Sequence, residues 1–542
     1  MLDKIKSALG LSPAPKLFDD RHTAVVPVSR GAQMGALDRM PDSSRPTLQP
    51  APPLRTWDVE TRLSNLPGQA QARHAASVSG FIAYGLELLQ AWTVGGDGLR
   101  PSVTPDASEL GWTPEDALEW GNAVERVFSE WANDATSCDA QGRLTFAGIQ
   151  AQALRSYMLC GDAFAGLDYG PKRHAAWRTA VQMVDPLRIT FASSSRPGVT
   201  VRNGVELDDR GRAIAYHLRA LHDVGATERV PVFGGNGRRL LLHVFDAEVG
   251  AVRGVSPLAP AIGGLLQGMQ AADAAVMASQ IHALLLGTIT SDLPNADLIR
   301  ALGGDGDPIA RMMAARVEWH EGLKKTHNDV QLGRNARIIP LSTGERLDLH
   351  GGGKGAFQAY DTILEHTLRE VARALGLSYQ AVSGDLSSAT YASLKYSVTE
   401  TRPIVIRKRK TIVEPMCRWA LAAVVEEAIA TRRIPFEVTK GPYRSLSPLE
   451  AFRELKRFAL KSTWIGPQIE DPDALKATRA SVERVRAGLS SLSEEIELSG
   501  RDPEAVFDQI GRDREALRRR GIYLPQFTDK RPVVHQNKGG SA

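Results

Sequence analysis

The sequence predicts an α+β fold that is mainly helical, because helical and strand patterns occur in separate blocks. Helical patterns cover residues 61–168 and most of the chain after 256, whereas short strands separated by turns occupy 179–250. Strand patterns do not alternate with helical ones, as they would in a doubly wound parallel sheet. The strands are therefore expected to form antiparallel sheets between two helical regions.

The first helical region and the strand block each contain a local signal for their structure. Thr113 is a typical N-cap, and Pro114 fits the first position of the helix PEDALEWGNAVERVFSEWAND. Among the strands, Asp209-Arg-Gly lies between two apolar runs and predicts a hairpin turn. Asp208 and Asp209 form a pair of carboxylates, but aspartates at a turn tip more often shape the turn than catalyse a reaction.

The first of three long helices after the strands is almost uncharged. It is predicted over 256–287, is rich in Ala and Gly, and has Asp273 as its only formal charge. A transmembrane helix is one alternative, but the glutamines Gln267, Gln270 and Gln280 are poorly tolerated in a bilayer. A helix buried between subunits is favoured, since burial on all sides also produces an apolar helix.

The second and third long helices differ in how they end. The second, FQAYDTILEHTLREVARALG, stops at Gly376, a typical C-terminal signal. The third, over 389–430, should kink or break because it contains Pro403 and Pro415. It also contains the basic run IRKRK at 406–410. Such a run contacts phosphates, pairs with acidic groups of a neighbouring subunit, or is a solvated face.

The C-terminal part is predicted to be a set of short, charged helices. Capping boxes begin at Ser447 and Ser491, and an Asp-Pro pair at 502–503 starts a further helix. The two ends of the chain differ from this pattern. Residues 1–60 are interrupted by prolines and predict a flexible arm, and residues 526–542 are polar and predict a disordered tail.

Composition excludes several classes of protein. A net charge of +4 over 542 residues does not indicate nucleic-acid binding by bulk charge. The three cysteines, Cys138, Cys160 and Cys417, are widely spaced and form no pair, so neither a disulfide framework nor a cysteine zinc site is predicted. The histidines form no metal-binding pair, and no signal peptide is apparent. These features are typical of a cytoplasmic protein without a metal site.

One stretch resembles an active site. SYQAVSGDLSSATYASLK contains Ser378, Tyr391 and Lys395 at the spacing of the serine, tyrosine and lysine of short-chain dehydrogenases. An NAD(P)-dependent oxidoreductase also needs a glycine-rich turn between a strand and a helix, and no such unit precedes Tyr391. The run HGGGKG fails as a phosphate loop because Gly355 follows Lys354 where Ser or Thr is required. The chain is therefore predicted not to be an enzyme and to need no cofactor.

Several motifs, taken in order, resemble the lambda family of tailed-phage portal proteins. They run from the strand block to the C-terminal helices: GVELDDRGRAIAYH at 204–217, RGVSPLAP at 253–260, REVARALGLSYQAVSGDLS at 369–387, WIGP at 464–467 and GLSSLSE at 488–494. Each motif alone is weak, but their order over residues 60–525 is specific. The portal of a gene transfer agent would carry the same motifs.

The resemblance implies the portal fold, in which about twelve subunits form a ring around a channel. It divides the chain into an N-terminal arm (1–60), a wing (61–255), a first stem helix (256–290), a clip (291–345), a second stem helix (346–376), a tunnel loop (377–390), a kinked wing helix (391–440), crown helices (441–525) and a disordered tail (526–542).

The resemblance also implies sites and partners. Candidate channel residues lie in the tunnel loop: Gln380, Ser383, Asp385, Ser387 and Ser388. Candidate contacts to DNA or to a neighbouring subunit lie in the basic run: Arg407, Lys408, Arg409 and Lys410. The implied partners are further copies of the chain, double-stranded DNA in passage, the terminase large subunit, the major capsid protein and a head-completion adaptor, with no membrane. The implied location is the capsid vertex of the virion, after assembly in the host cytoplasm.

Overall fold

The computed structural model describes most of the chain between residues 56 and 522. The described ranges are 56–170, 175–191, 193–196, 199–219, 226–235, 237–284, 288–291, 318, 345–348, 354–387, 389–438, 442–468 and 474–522. The predicted tail and nearly all of the predicted arm and clip lie outside them. The chain divides into two compact units, one formed by 1–263 with 371–542 and the other by 264–370.

The first helical region consists of six helices and one strand. These are α1 (Trp57–Val78), α2 (Gly80–Thr93), β1 (Arg100–Val103), α3 (Ala107–Leu110), α4 (Pro114–Asn133), α5 (Ala135–Cys138) and α6 (Phe146–Cys160). Helix α1 begins inside the range predicted for the arm. The predicted start of α4 is confirmed, since Thr113 is the N-cap, Pro114 is the first helical residue, and Thr113 and Asp116 form a reciprocal capping box. Its apolar face, with Trp120, Val124 and Trp131, is buried.

The strand block is antiparallel, as predicted, but it forms two sheets and begins at Asp162, inside the range predicted to be helical. Its strands are β2 (Asp162–Tyr169), β3 (Thr179–Val184), β4 (Ser194–Arg196), β5 (Val199–Arg202), β6 (Val205–Leu207), β7 (Ala213–Arg219), β8 (Thr227–Pro231) and β9 (Leu241–Phe245). One sheet has the order β3-β2-β9, and the other is the meander β4-β5-β6-β7-β8. A shared core includes Phe164, Ile189 and Tyr216.

The hairpin between β6 and β7 shows what the paired aspartates do. The Asp208 carboxylate accepts hydrogen bonds from the backbone N–H groups of Arg210 and Arg212, at 2.9 and 2.8 Å. Gly211 completes the turn with φ of 78°. Asp208 therefore forms the turn, as predicted, and Asp209 is exposed at its tip.

Two long helices dominate the unit formed by 264–370. They are α7 (Ala259–Leu284) and α8 (Lys354–Leu375), and the antiparallel strand pair β10 (Thr288–Ser291) and β11 (Glu345–Asp348) lies between them in sequence. The helices approach closely at Gly268, where a Cβ atom would lie 3.1 Å from the Thr367 hydroxyl. Within the described ranges, no helix combines the length and apolar character that crossing a membrane requires.

The third long helical segment contains one irregular turn, close to one of its two prolines. Helix α10 (Tyr391–Lys408) contains Pro403, and a π-helical turn, Arg409–Val413, joins it to α11 (Glu414–Ala430). Pro415 lies two residues after the π turn and has no N–H to donate to the preceding turn. The helical hydrogen-bond pattern therefore changes next to Pro415, whereas α10 continues through Pro403.

The C-terminal helices are α12 (Pro448–Ala459), α13 (Ala474–Arg486), α14 (Leu492–Leu498) and α15 (Pro503–Arg519). The predicted capping boxes at Ser447 and Ser491 are both present. The short strand β12 (Ser462–Ile465) pairs antiparallel with β1, which ties this region to the first helical region.

A buried ionic cluster connects the strand block to the segment that leads into α7. Asp162 and Arg253 are both fully buried, and the guanidinium Nε donates to the carboxylate at 2.7 Å. The carboxylate also accepts hydrogen bonds from the Gly254 N–H at 2.7 Å and from His243 Nε2 at 2.9 Å. Burial works to raise the pKa of Asp162, but Arg253 and His243 outweigh it and hold this pKa below its usual value.

Substitution Asp162→Asn should strongly destabilise the protein, because it leaves the Arg253 guanidinium buried without its counter-charge. The expected loss in the free energy of unfolding is about 3 kcal/mol or more. Chemical denaturation measures it. The matched control is Glu483→Gln, which breaks the exposed pair with Arg486 and should cost under about 1 kcal/mol. Equal losses in both variants would contradict the role assigned to the cluster.

Stability should also fall in mild acid through His243. Burial lowers the pKa of His243, and its ring accepts from the Tyr216 hydroxyl through Nδ1 while Nε2 donates to Asp162. An unfolded histidine takes up a proton near pH 6.5, whereas the folded one does so only at lower pH, so the free energy of unfolding decreases below about pH 6.5.

Denaturation between pH 7 and 5 tests this in two variants. His243→Gln removes the titrating ring and should flatten the dependence on pH, although it lowers stability overall. The exposed His74→Gln is the control and should keep the wild-type slope. An unchanged slope in His243→Gln would show that another group causes the loss.

Candidate functional site

The predicted tunnel loop begins where α8 ends. Gly376 ends the helix with φ of 77°, and the chain then forms the short helix α9 (Tyr379–Ser383). The Ser378 hydroxyl caps α9 by accepting from the Ala381 N–H at 3.2 Å. Gly384, with φ of 69°, ends α9. This segment is therefore more ordered than the plain loop that its composition predicts.

The exposed part of the segment follows α9. Residues 384–387 are all exposed, and Ser388 lies outside the described residues. The Asp385 carboxylate accepts the Ser387 N–H at 2.9 Å, and hydrogen bonding to Ser387 lowers the pKa of Asp385. The Ser383 hydroxyl in turn accepts the Asp385 N–H at 3.1 Å. Of the channel candidates, Gln380 and Ser383 are half-buried, whereas Asp385 and Ser387 face solvent.

Helix α2 supports the base of this segment. A Cβ atom at Gly85 would lie 2.5 Å from the Leu375 side chain and 3.6 Å from that of Val382. Glycine therefore lets α2 pack directly against the end of α8 and against α9. The exposed tip is presented from a fixed base rather than from a free linker.

The basic run does not form one surface, because successive helical residues point about 100° apart. The Arg407 guanidinium pairs with Asp246 at 2.9 Å, and both side chains are exposed. Lys408 points inward and donates to the carbonyl of Leu375, the last residue of α8. Burial lowers the pKa of Lys408 to about 8. Lys410 is exposed.

Arg409 caps the C-terminus of α2. Its guanidinium donates to the carbonyl oxygens of Trp92 and Thr93, the last two residues of that helix, at 3.1 and 3.0 Å. It also donates to the Pro467 carbonyl at 2.8 Å. Helix C-termini leave such carbonyls unpaired and attract cations. Arg409 and Lys408 thus each cap a helix of their own chain, which leaves Arg407 and Lys410 as the accessible members of the run.

The three residues that resemble a dehydrogenase site have separate local roles. Ser378 caps α9, Tyr391 is the first residue of α10 with a side chain 55% exposed, and Lys395 lies one turn further along α10. Nothing in this arrangement forms a cradle for a nicotinamide. Within the described ranges, no group of three or more His, Cys, Asp or Glu residues could hold a metal ion, and the three cysteines are buried free thiols.

Two grooves flank the end of α10, and sequence reasoning did not find them. One, of about 650 Å³, is lined only by α10 and the π turn, including Arg402, Pro403 and Lys410. The other, of about 570 Å³, shares Arg402 and Lys410 and reaches across to α14 at Glu494. Arg402 lies outside the basic run. Its position eight residues before Lys410 in the same helical segment is the one sequence feature that suggests the two side chains share a face.

Comparison with known proteins decides the family. The profile described as phage portal protein, lambda family, matches residues 45–409. The chain belongs to the lambda family of phage portal proteins. The family predicted from the ordered motifs is therefore confirmed, as is the mainly helical portal fold.

Two phage portal proteins illustrate how far the similarity extends. Portal protein B of Escherichia phage lambda is 24% identical over 482 residues, covering 88% of each chain. The portal protein of Escherichia phage N15 is 25% identical over 489 residues, covering 88% of this chain and 89% of its own. A solved structure, the virion of a native gene transfer agent particle, aligns with a TM-score of 0.37 at 18% identity, over 77% of this chain and 99% of that one.

Truncation of Arg409 should destabilise the chain far more than truncation of its neighbour Lys410. Arg409→Ala removes hydrogen bonds from a charged donor to three carbonyls, and the expected loss in the free energy of unfolding is on the order of 3 kcal/mol. Lys410→Ala removes an exposed charge and should change stability by less than about 0.5 kcal/mol. Chemical denaturation of both variants measures the contrast. Similar losses would mean that Arg409 does not hold α2.

Proposed function

We propose that about twelve copies of this chain form a ring at one capsid vertex of a tailed phage or a gene transfer agent. The ring is the channel through which double-stranded DNA enters during packaging and leaves during ejection. It docks the terminase large subunit and later a head-completion adaptor, and it nucleates capsid assembly with the major capsid protein. The match of a portal-family profile to residues 45–409 carries this proposal.

The parts of the ring follow from the same assignment. The helical region and sheets of 61–255 form the wing, α7 and α8 are the stem helices, and 291–345 is the clip. The segment 377–390 is the tunnel loop, α10 and α11 form the kinked wing helix, and the helices of 441–525 form the crown. The close approach of α7 and α8 at Gly268 supports their assignment as one helical pair.

The charges of the tunnel loop and the basic run suit DNA in passage. Each cation that neutralises a phosphate adds affinity, so a channel that must let DNA slide should present few of them. Among the described residues of 377–390, Asp385 is the only formal charge. Lys408 and Arg409 are engaged with their own backbone. The chain accordingly acts as a conduit and a platform, without covalent chemistry of its own.

Negative-stain imaging and light scattering of the purified full chain test the ring. Rings of about twelve subunits are expected, and Tyr391→Phe should form them as well as the wild type. A monomer or tetramer that binds NADP(H) and loses activity on Tyr391→Phe would support the dehydrogenase alternative instead.

Adding cations to the tunnel loop should increase the affinity of the ring for DNA. Ser383→Lys with Ser387→Lys is expected to tighten the binding of short duplex DNA and to steepen its salt dependence, by a log–log slope of about 0.9 for each new phosphate contact. Fluorescence anisotropy across a salt series measures both. The neutral pair Ser383→Asn with Ser387→Asn is the control. Unchanged binding by intact lysine rings would place this loop outside the channel.

A further inference from the structure

The first groove beside α10 combines an apolar lining with a basic rim. Its apolar members are Val398, Pro403 and Ile406, and its basic members are Arg402, Arg407 and Lys410. The whole groove lies on one helix and its π turn, so its shape does not depend on a distant part of the chain. Its volume of about 650 Å³ is large enough for one or two side chains of a partner.

Two of the three cations on the rim have no ion-pair partner among the described residues. Arg407 has Asp246 as its partner. For Arg402 and Lys410, the described part of the chain provides no ion pair. An apolar groove with unbalanced cations on its rim fits a ligand that is apolar at its tip and acidic around it.

Helix α4 presents such a surface. The Leu118 side chain is 48% exposed on the outer face of the helix. Glu115, three residues before Leu118, and Glu119, the next residue after it, are both exposed. The two glutamates are four residues apart and so lie on the same face of the helix. Neither glutamate has a basic partner among the described residues. Leu118, Glu115 and Glu119, called here the α4 ridge, therefore form an apolar knob with an acidic border.

We infer that the α4 ridge of one subunit sits in the α10 groove of the next. This inference rests on the proposed ring. Closed rings with head-to-tail contacts need two different, complementary patches on each subunit. The groove and the ridge are complementary in charge and in apolar character, and the ridge does not line the groove of its own chain. Duplex DNA is the less suitable occupant, because phosphates would leave the apolar lining uncovered.

Paired charge reversals test the contact in the full chain. The groove variant carries Arg402→Glu and Lys410→Glu, and the ridge variant carries Glu115→Lys and Glu119→Lys. Each alone brings like charges together and should reduce the ring fraction in light scattering about tenfold or more. Circular dichroism and a thermal melt show that each variant is folded. The control is Arg210→Glu with Lys456→Glu, two exposed cations outside both patches, which should leave rings intact.

Mixing the two variants is the decisive step, because neither alone should form rings. In the mixture, the acidic groove meets the basic ridge and the basic groove meets the acidic ridge, so rings of alternating subunits should return. Intact rings in the single variants, or no recovery on mixing, would overturn the inference. Intact rings that bind duplex DNA less well would instead assign the groove to DNA. Wild-type protein that forms no ring would overturn the proposed function itself.

Discussion

The carboxylate of Asp162 joins parts of the chain that are far apart in sequence. Asp162 is the first residue of β2 and follows Gly161 directly. Its carboxylate binds His243 of β9 and the backbone N–H of Gly254. Its partner Arg253 also donates to the carbonyls of Pro186 and Asn203. A buried ion pair of this kind costs desolvation energy and is tolerated only where further hydrogen bonds complete it. Here those bonds fix the two sheets and the backbone at Arg253 and Gly254 relative to one another.

The same cluster explains the glycines around it. A Cβ atom at Gly161 would collide with the backbone of Gly254 and Val255, and one at Gly254 would collide with the Gly161 carbonyl. Ser256 continues the connection, since its hydroxyl donates to the Met158 carbonyl at 2.7 Å. The run RGVS therefore has a structural role, because Arg253, Gly254 and Ser256 each contact α6 or β2.

Features that depend on neighbours in sequence could be predicted, and features that depend on distant partners could not. A few consecutive residues are enough to predict the N-caps at Thr113, Ser447 and Ser491 and the turn at Asp208. The burial of Arg253 needs Asp162, which is 91 residues away. The sequence of the basic run likewise does not show that Lys408 meets the end of α8 and Arg409 the end of α2, because both partners are distant in sequence.

The π turn between α10 and α11 changes the angular phase of the long helical segment. A π turn accommodates one more residue than an α-helical turn, so the faces of α11 are rotated by about 100° from where an unbroken helix would place them. This suits two halves with different surroundings, since α10 has only Thr401 and Val405 as buried residues in its described part, whereas α11 is buried along most of its length. One extra residue thus lets a single helical segment have a largely exposed first half, α10, and a largely buried second half, α11.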